Sequence, residues 1–138
     1  IVPLISLFEE DTRLTYIAAA REEECFGIAS GMAMSGRRAL VFMQNSGFLN
    51  SIGCYATLCQ RYATPFTIVM AHRGGINDSN SYDPNKYRAF EAVASGMNLF
   101  VHKSSWETLE TDIPRAMARS EGAGEPSFLT ITEKPGAS

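Results

Sequence analysis

No apolar run in these 138 residues reaches the roughly 18–20 residues that a membrane-crossing helix needs, so no membrane span is expected. Cysteine is scarce. Cys25, Cys54 and Cys59 are odd in number, which leaves no complete disulfide framework, and they lack paired zinc-ligand spacing, so no metal site is expected and each reads as a small buried hydrophobe. Positive charge is also short: twelve Lys and Arg against fifteen Asp and Glu give a formal charge of -3, and the basic residues are scattered, which argues against a nucleic-acid partner. No basic leader precedes Ile1-Val2-Pro3-Leu4, so a cytoplasmic protein is the expectation. An initiating Met is missing as well, and the sequence is read as starting inside its gene product, without a first strand.

What is present is the composition of a globular protein, 45% apolar and 20% charged. The length suits one domain and leaves no room for a second, cofactor-holding one. Strands alternate with helices. Thr15-Tyr16-Ile17-Ala18 reads as a short strand, Glu22 to about Ser35 as a helix closed by Gly36, and Ala39 to Met43 as a buried strand. A polar turn at Gln44-Asn45-Ser46-Gly47 precedes a helix from about Asn50 to Tyr62, and Phe66 to Ala71 forms the next strand. The long loop His72 to Pro84 holds Gly74, Gly75, Asn77, Asp78, Asn80 and Asp83. A helix from Asn85 to about Ser95, a strand Leu99 to His102, a helix from Trp106 to about Ser120 capped by Ser105 and kinked or divided at Pro114, and a strand Phe128 to Ile131 complete the pattern. This order predicts a doubly wound α/β domain, a mostly parallel sheet with helices on both faces. Ligands in that class meet the carboxyl ends of the strands, here the neighbourhoods of Glu22, Gln44 to Gly47, and His72 to Arg73.

The most informative segment is Arg21-Glu22-Glu23-Glu24-Cys25-Phe26-Gly27-Ile28-Ala29-Ser30-Gly31, three carboxylates at a helix start followed by a face of small residues. The acids either favour the positive end of the helix or include one working group. The small residues would let a second backbone or a planar ligand come close. Gly47 is open to the same pair of readings, as a turn glycine or as a point of close approach. Asn45, Ser46 and Asn50 offer hydrogen bonds, with Asn50 equally suited to capping a helix.

Arg21-Glu22-Glu23-Glu24 with Gly27-Ile28-Ala29-Ser30-Gly31, followed by Met43-Gln44-Asn45-Ser46-Gly47-Phe48-Leu49-Asn50-Ser51, resembles the pyrimidine-binding domain of thiamine diphosphate enzymes, most closely the α subunit of sulfopyruvate and phosphonopyruvate decarboxylases. The resemblance runs over nearly all of residues 1–138 and implies the thiamine diphosphate-binding fold, with a further strand ahead of Ile1. It implies that Glu22 is the cofactor-activating acid, bonded to the pyrimidine ring, and that Asn45, Ser46, Gly47 and Asn50 line the cofactor. Arg73-Gly74 matches the family after its third strand, whereas His72 replaces a tryptophan; His72, Arg73 and Lys86 become candidates for binding an anionic 2-oxo acid, the guanidinium through its two-donor fork. Arg73 could equally serve a salt bridge and His72 a satisfied loop position. Tyr82-Asp83-Pro84-Asn85-Lys86 departs from the family's Asp-Glu-Pro-x-His, with Lys86 near the place of the histidine, which leaves the substrate open. His102 reads as structural.

The family's Gly-Asp-Gly segment, which holds the diphosphate and Mg2+, is absent from this sequence. The resemblance therefore implies a β subunit carrying the diphosphate-binding domain and the metal. Two other classes share the pattern: a thiamine-dependent transferase or carboligase subunit, and a non-enzymatic regulatory or binding protein of the same fold.

Overall fold

The computed structural model describes residues 2–76, 78 and 83–132. Four strands, β1 (Leu40–Gln44), β2 (Thr67–Ala71), β3 (Phe100–Ser104) and β4 (Ser127–Ile131), form one sheet in the order β1-β2-β4-β3. Every neighbouring pair is parallel, with Gln44 opposite Ala71 and Ala71 opposite Ile131. The central strands β2 and β4 are buried almost throughout. Strands covered on both faces carry apolar residues on both, which is why these sequences do not alternate strictly, with Thr67, Ser127 and Thr130 as buried polar exceptions.

The pleat sends successive residues of β2 into two cores. Ile68 and Met70 join Phe26, Phe48, Tyr55, Phe90 and Phe128 on one face, beneath α2 (Glu22–Met34), α3 (Asn45–Asn50) and α5 (Pro84–Gly96). Val69 joins Leu109, Ala116, Leu129 and Ile131 on the other, beneath α6 (Leu109–Ala123). Phe8 of α1 (Val2–Glu10) meets Phe42 of β1 on that second face, ring centroids 5.1 Å apart. The doubly wound arrangement expected from the alternation is thus present. In the first core Phe48 lies edge-on to Tyr55, Phe90 and Phe128 at 5.3, 5.7 and 5.2 Å. Such aromatic pairs add directional preference to area burial, and here they anchor α3 against the sheet.

Three local expectations change. Thr15 to Ala18 form no strand; the segment is irregular, with Tyr16 and Ile17 exposed. β1 ends the sheet and pairs only with β2 among the described residues, so this segment gains no ladder partner, and β-branched composition alone does not make a strand. The polar turn at residues 44–47 is instead the start of α3, which leaves β1 with no intervening loop. Burial of Phe48 overrides the turn preference of Asn45, Ser46 and Gly47. The helix expected over residues 50–62 is consequently broken: α3 ends at Asn50, Ser51 Oγ donates back to Gly47 O at 2.7 Å, and α4 (Ile52–Cys54) leads into a π-helical stretch over Tyr55–Gln60.

Other boundaries shift little. α6 starts at Leu109 instead of Trp106, the carbonyl of Ser105 accepting the Thr108 and Leu109 N–H groups, and Pro114 lies inside it without dividing it. Pro84 opens α5 at a position where a missing N–H costs nothing. Asn77, Asn80 and Tyr82 of the expected loop lie outside the described residues. No described helix is long and apolar enough to cross a membrane.

Candidate active site

Arg21, in extended conformation, delivers the chain into α2 at Glu22. The three acids of the first turn then separate by contact. Glu23 lies 3.6 Å from the exposed Arg21 guanidinium, and Glu24 accepts the Ala20 N–H at 3.0 Å. Glu22 has no hydrogen-bond partner among the described residues and packs against Gly47 of α3. A Cβ built on Gly47 would fall 2.3 Å from Glu22 Oε1, 2.4 Å from its Cγ and 2.5 Å from its Cδ. Gly47 is buried, so the carboxylate occupies the volume a side chain there would fill. Position 47 has to be glycine for Glu22 to stand where it does.

The neighbouring residues of α3 divide. Asn45 is wholly buried, its Nδ2 donating to Arg73 O at 3.0 Å and its Oδ1 accepting the Arg73 N–H at 3.1 Å. Ser46 is half-buried. Asn50, weighed as a helix cap, is the exposed last residue of α3 because the helix opens five positions earlier. The open glycine face of α2 points away from the chain: an added Cβ at Gly27 or Gly31 meets nothing within 4 Å, whereas Phe26, Ala29 and Ser30 are buried.

Beyond β2, Arg73 makes a fork with Asp78, Nε to Oδ2 at 2.5 Å and Nη2 to Oδ1 at 2.9 Å, and the Gly74 N–H donates to the same carboxylate at 3.0 Å. The paired carboxylate raises the guanidinium pKa further. Gly74 takes a left-handed φ of 97°, and a Cβ there would fall 2.4 Å from Asp83 O. Asp83 in turn caps α5 by accepting the Lys86 N–H at 3.1 Å. Arg73, Asp78 and the Lys86 backbone therefore belong to one braced loop. Asp78 was not among the expected site residues; an acid five positions after an arginine, across two glycines, is the signal that points to it.

His72 is buried, stacked on Tyr87 with centroids 3.8 Å apart and planes at 4°, its Nε2 3.2 Å from Tyr87 O. That contact fits a neutral ring carrying its proton on Nε2, and burial lowers the imidazole pKa below its usual range. Since the unfolded chain takes up this proton first, the stability is present above about pH 6.5 and is lost as pH falls toward the lowered folded value. Thermal unfolding followed from pH 7.5 to 5 should show a falling Tm, and His72→Gln should reduce the slope; an unchanged slope would remove His72 as its source. A hollow of about 400 Å³ lined by His72, Gly74, Asp78, Tyr87 and Arg88 lies beside this stack and does not include Glu22 or Gly47. His102, expected to be structural, stands 3.5 Å from Asp112, which also accepts Ser104 Oγ at 2.7 Å. Among the described residues no group of acids, histidines and cysteines could hold a metal ion.

No family model matches the chain. Over 75 residues it is 40% identical to the sulfopyruvate decarboxylase subunit alpha of Methanocaldococcus jannaschii, a match covering 54% of this chain and 44% of that protein. This chain is similar to sulfopyruvate decarboxylase alpha subunits. The same subunit of Methanothermobacter thermautotrophicus is 37% identical over 71 residues, and that of Methanococcus maripaludis 33% over 78 residues, covering 51% and 56% of this chain. The chain spans less than half the length of these curated relatives, 43% and 47% for the latter two. The resemblance to sulfopyruvate decarboxylase alpha subunits is borne out over about half of the chain, not over nearly all of it.

Proposed function

We propose that this chain is the pyrimidine-side subunit of a thiamine diphosphate-dependent 2-oxo acid decarboxylase acting on sulfopyruvate or a related anionic 2-oxo acid, and that it works with a β subunit holding the diphosphate and Mg2+ through oxygen ligands. The observation that carries the reading is the packing of the Glu22 carboxyl against Gly47 at the carboxyl edge of the sheet. The residues fit such a cofactor: a half-buried carboxyl group without a hydrogen-bond partner among the described residues is seated in the space that Gly47 leaves, with an oxygen available to a ring nitrogen. The names of the relatives support decarboxylation, the substrate class and the need for a second subunit.

When bound, thiamine diphosphate supplies the electron sink that ordinary side chains lack. Glu22 would hold a proton at a carboxyl oxygen facing the pyrimidine ring nitrogen, giving and taking it as the ring changes tautomer. Gly47 keeps that carboxyl in place by leaving room for it. Ser46 would orient the ring edge through its hydroxyl, and Arg73, its Nε and Nη2 held by Asp78, would meet the distal anion of the substrate through Nη1.

Reconstitution tests this reading. The chain alone is expected to show negligible cofactor affinity and no turnover, and mixing it with its co-purifying β partner, Mg2+ and thiamine diphosphate should release carbon dioxide from sulfopyruvate. Tight, Mg2+-dependent cofactor binding by the chain alone, measured by calorimetry, would defeat the two-subunit site. A complete mixture inactive on sulfopyruvate, phosphonopyruvate and pyruvate would defeat the decarboxylase reading.

A further inference from the structure

Asn45 is expected from sequence to touch the cofactor, yet the fold uses both ends of its buried amide elsewhere. The β1–β2 ladder pairs residues only as far as Gln44 and Ala71. At Asn45 the backbone turns into α3 and cannot extend the ladder. The line of β2 nevertheless runs on. On its far side the His72 N–H donates to Ile131 O at 2.9 Å. On its near side the Asn45 side chain replaces the missing strand, its amide donating to Arg73 O at 3.0 Å and accepting the Arg73 N–H at 3.1 Å. One extended residue presents its N–H and C=O to the same side, so a planar amide meets both as a neighbouring strand would.

We infer that Asn45 is a positioning residue: its amide holds the Arg73 backbone, and with it the Arg73–Asp78 fork, at a fixed place relative to the Glu22–Gly47 contact, and it makes no bond to the cofactor. Gly47 follows Asn45 by two residues in α3, so one helical turn carries the wall for Glu22 and the anchor for Arg73. At 0% exposure the amide offers no surface to a ligand. The acid at the start of α2 and the guanidinium beyond β2 thereby move as one unit. This assignment rests on the proposed decarboxylase only for its kinetic consequence.

The test uses Asn45→Ala and Asn45→Asp in the chain assembled with its partner subunit. The aspartate keeps the shape and the acceptor for the Arg73 N–H but removes the donor to Arg73 O. Backbone hydrogen exchange at Arg73 and Gly74 should rise about 10-fold in Asn45→Ala relative to Met70 and Leu129, the factor expected for a lost buried hydrogen bond, and less in Asn45→Asp. In the same variants KM for sulfopyruvate should rise by about 10-fold while the Kd for thiamine diphosphate changes by less than about 2-fold. A weakened cofactor with unchanged exchange at Arg73 would overturn the assignment, as would exchange rising equally at all four amides. Should the unaltered assembly fail to turn over sulfopyruvate, the decarboxylase reading falls by itself, and the exchange ratio still decides what Asn45 does. Should Asn45→Ala fail to assemble, the exchange pattern of Asn45→Asp decides it.

Discussion

Glu22→Gln is expected to leave assembly and thermal stability close to those of the unaltered protein and to lower decarboxylase turnover by roughly 10²-fold or more, the scale of lost acid–base assistance. The amide keeps the side chain's size against Gly47 but has no carboxyl proton to exchange. Stability should hold because Glu22 is only half-buried and has no hydrogen-bond partner to lose among the described residues. Proton exchange at the thiazolium carbon, followed by NMR in the loaded complex, should slow in parallel with turnover. Glu23→Gln and Glu24→Gln are the controls. Their carboxylates meet the exposed Arg21 and the Ala20 N–H, contacts on the helix surface that carry little energy. Proton exchange at the normal rate in Glu22→Gln would take Glu22 out of the activating role.

Gly47→Ala should match that loss by a steric route. The new methyl would stand 2.3 to 2.5 Å from three atoms of the Glu22 side chain, closer than non-bonded atoms approach, so one of the two must leave. The flexible glutamate moves more easily than α3, which the aromatic contacts of Phe48 hold to the sheet. A folded, assembling protein with activity down by roughly 10²-fold is the expected outcome, and because both changes act on one group, the double variant should be no worse than Glu22→Gln alone. Multiplying losses in the double variant would show that Gly47 has a function apart from seating Glu22.

The sheet was legible in the sequence because its central strands are covered on both faces. Phe66 to Ala71 and Phe128 to Ile131 are mostly apolar runs, each with a single threonine and with a proline shortly before it, a signal that depends on little beyond the segment itself. The start of α2 was legible for a similar reason, with acids in its first turn and Gly36 just beyond its end. Thr15 to Ala18 has the composition of a strand, but a strand also needs a neighbour, and that is a property of the whole fold. Asn45-Ser46-Gly47 has the composition of a turn and became a helix because Phe48 is pulled into a cluster of aromatic residues drawn from four other parts of the chain. At the site, the motif pointed to Glu22 and Gly47 together, while the steric reason for the glycine needed coordinates. The Arg73–Asp78 fork and the His72–Tyr87 stack depend on the path of a loop and the seating of α5, and local pattern says nothing about either.

The two borders of the sheet differ in how well they resist self-association. β3 carries His102 and Lys103, and the Lys103 side chain is 75% exposed, a charge that discourages another strand from adding there. β1, which pairs only with β2 among the described residues, offers Leu40-Val41-Phe42-Met43, apolar and without a charge. Uncharged apolar strands at a border are templates for intermolecular pairing. Self-association of the isolated chain is therefore expected to begin at β1, and a charge placed on that strand should raise the concentration at which the chain stays dispersed.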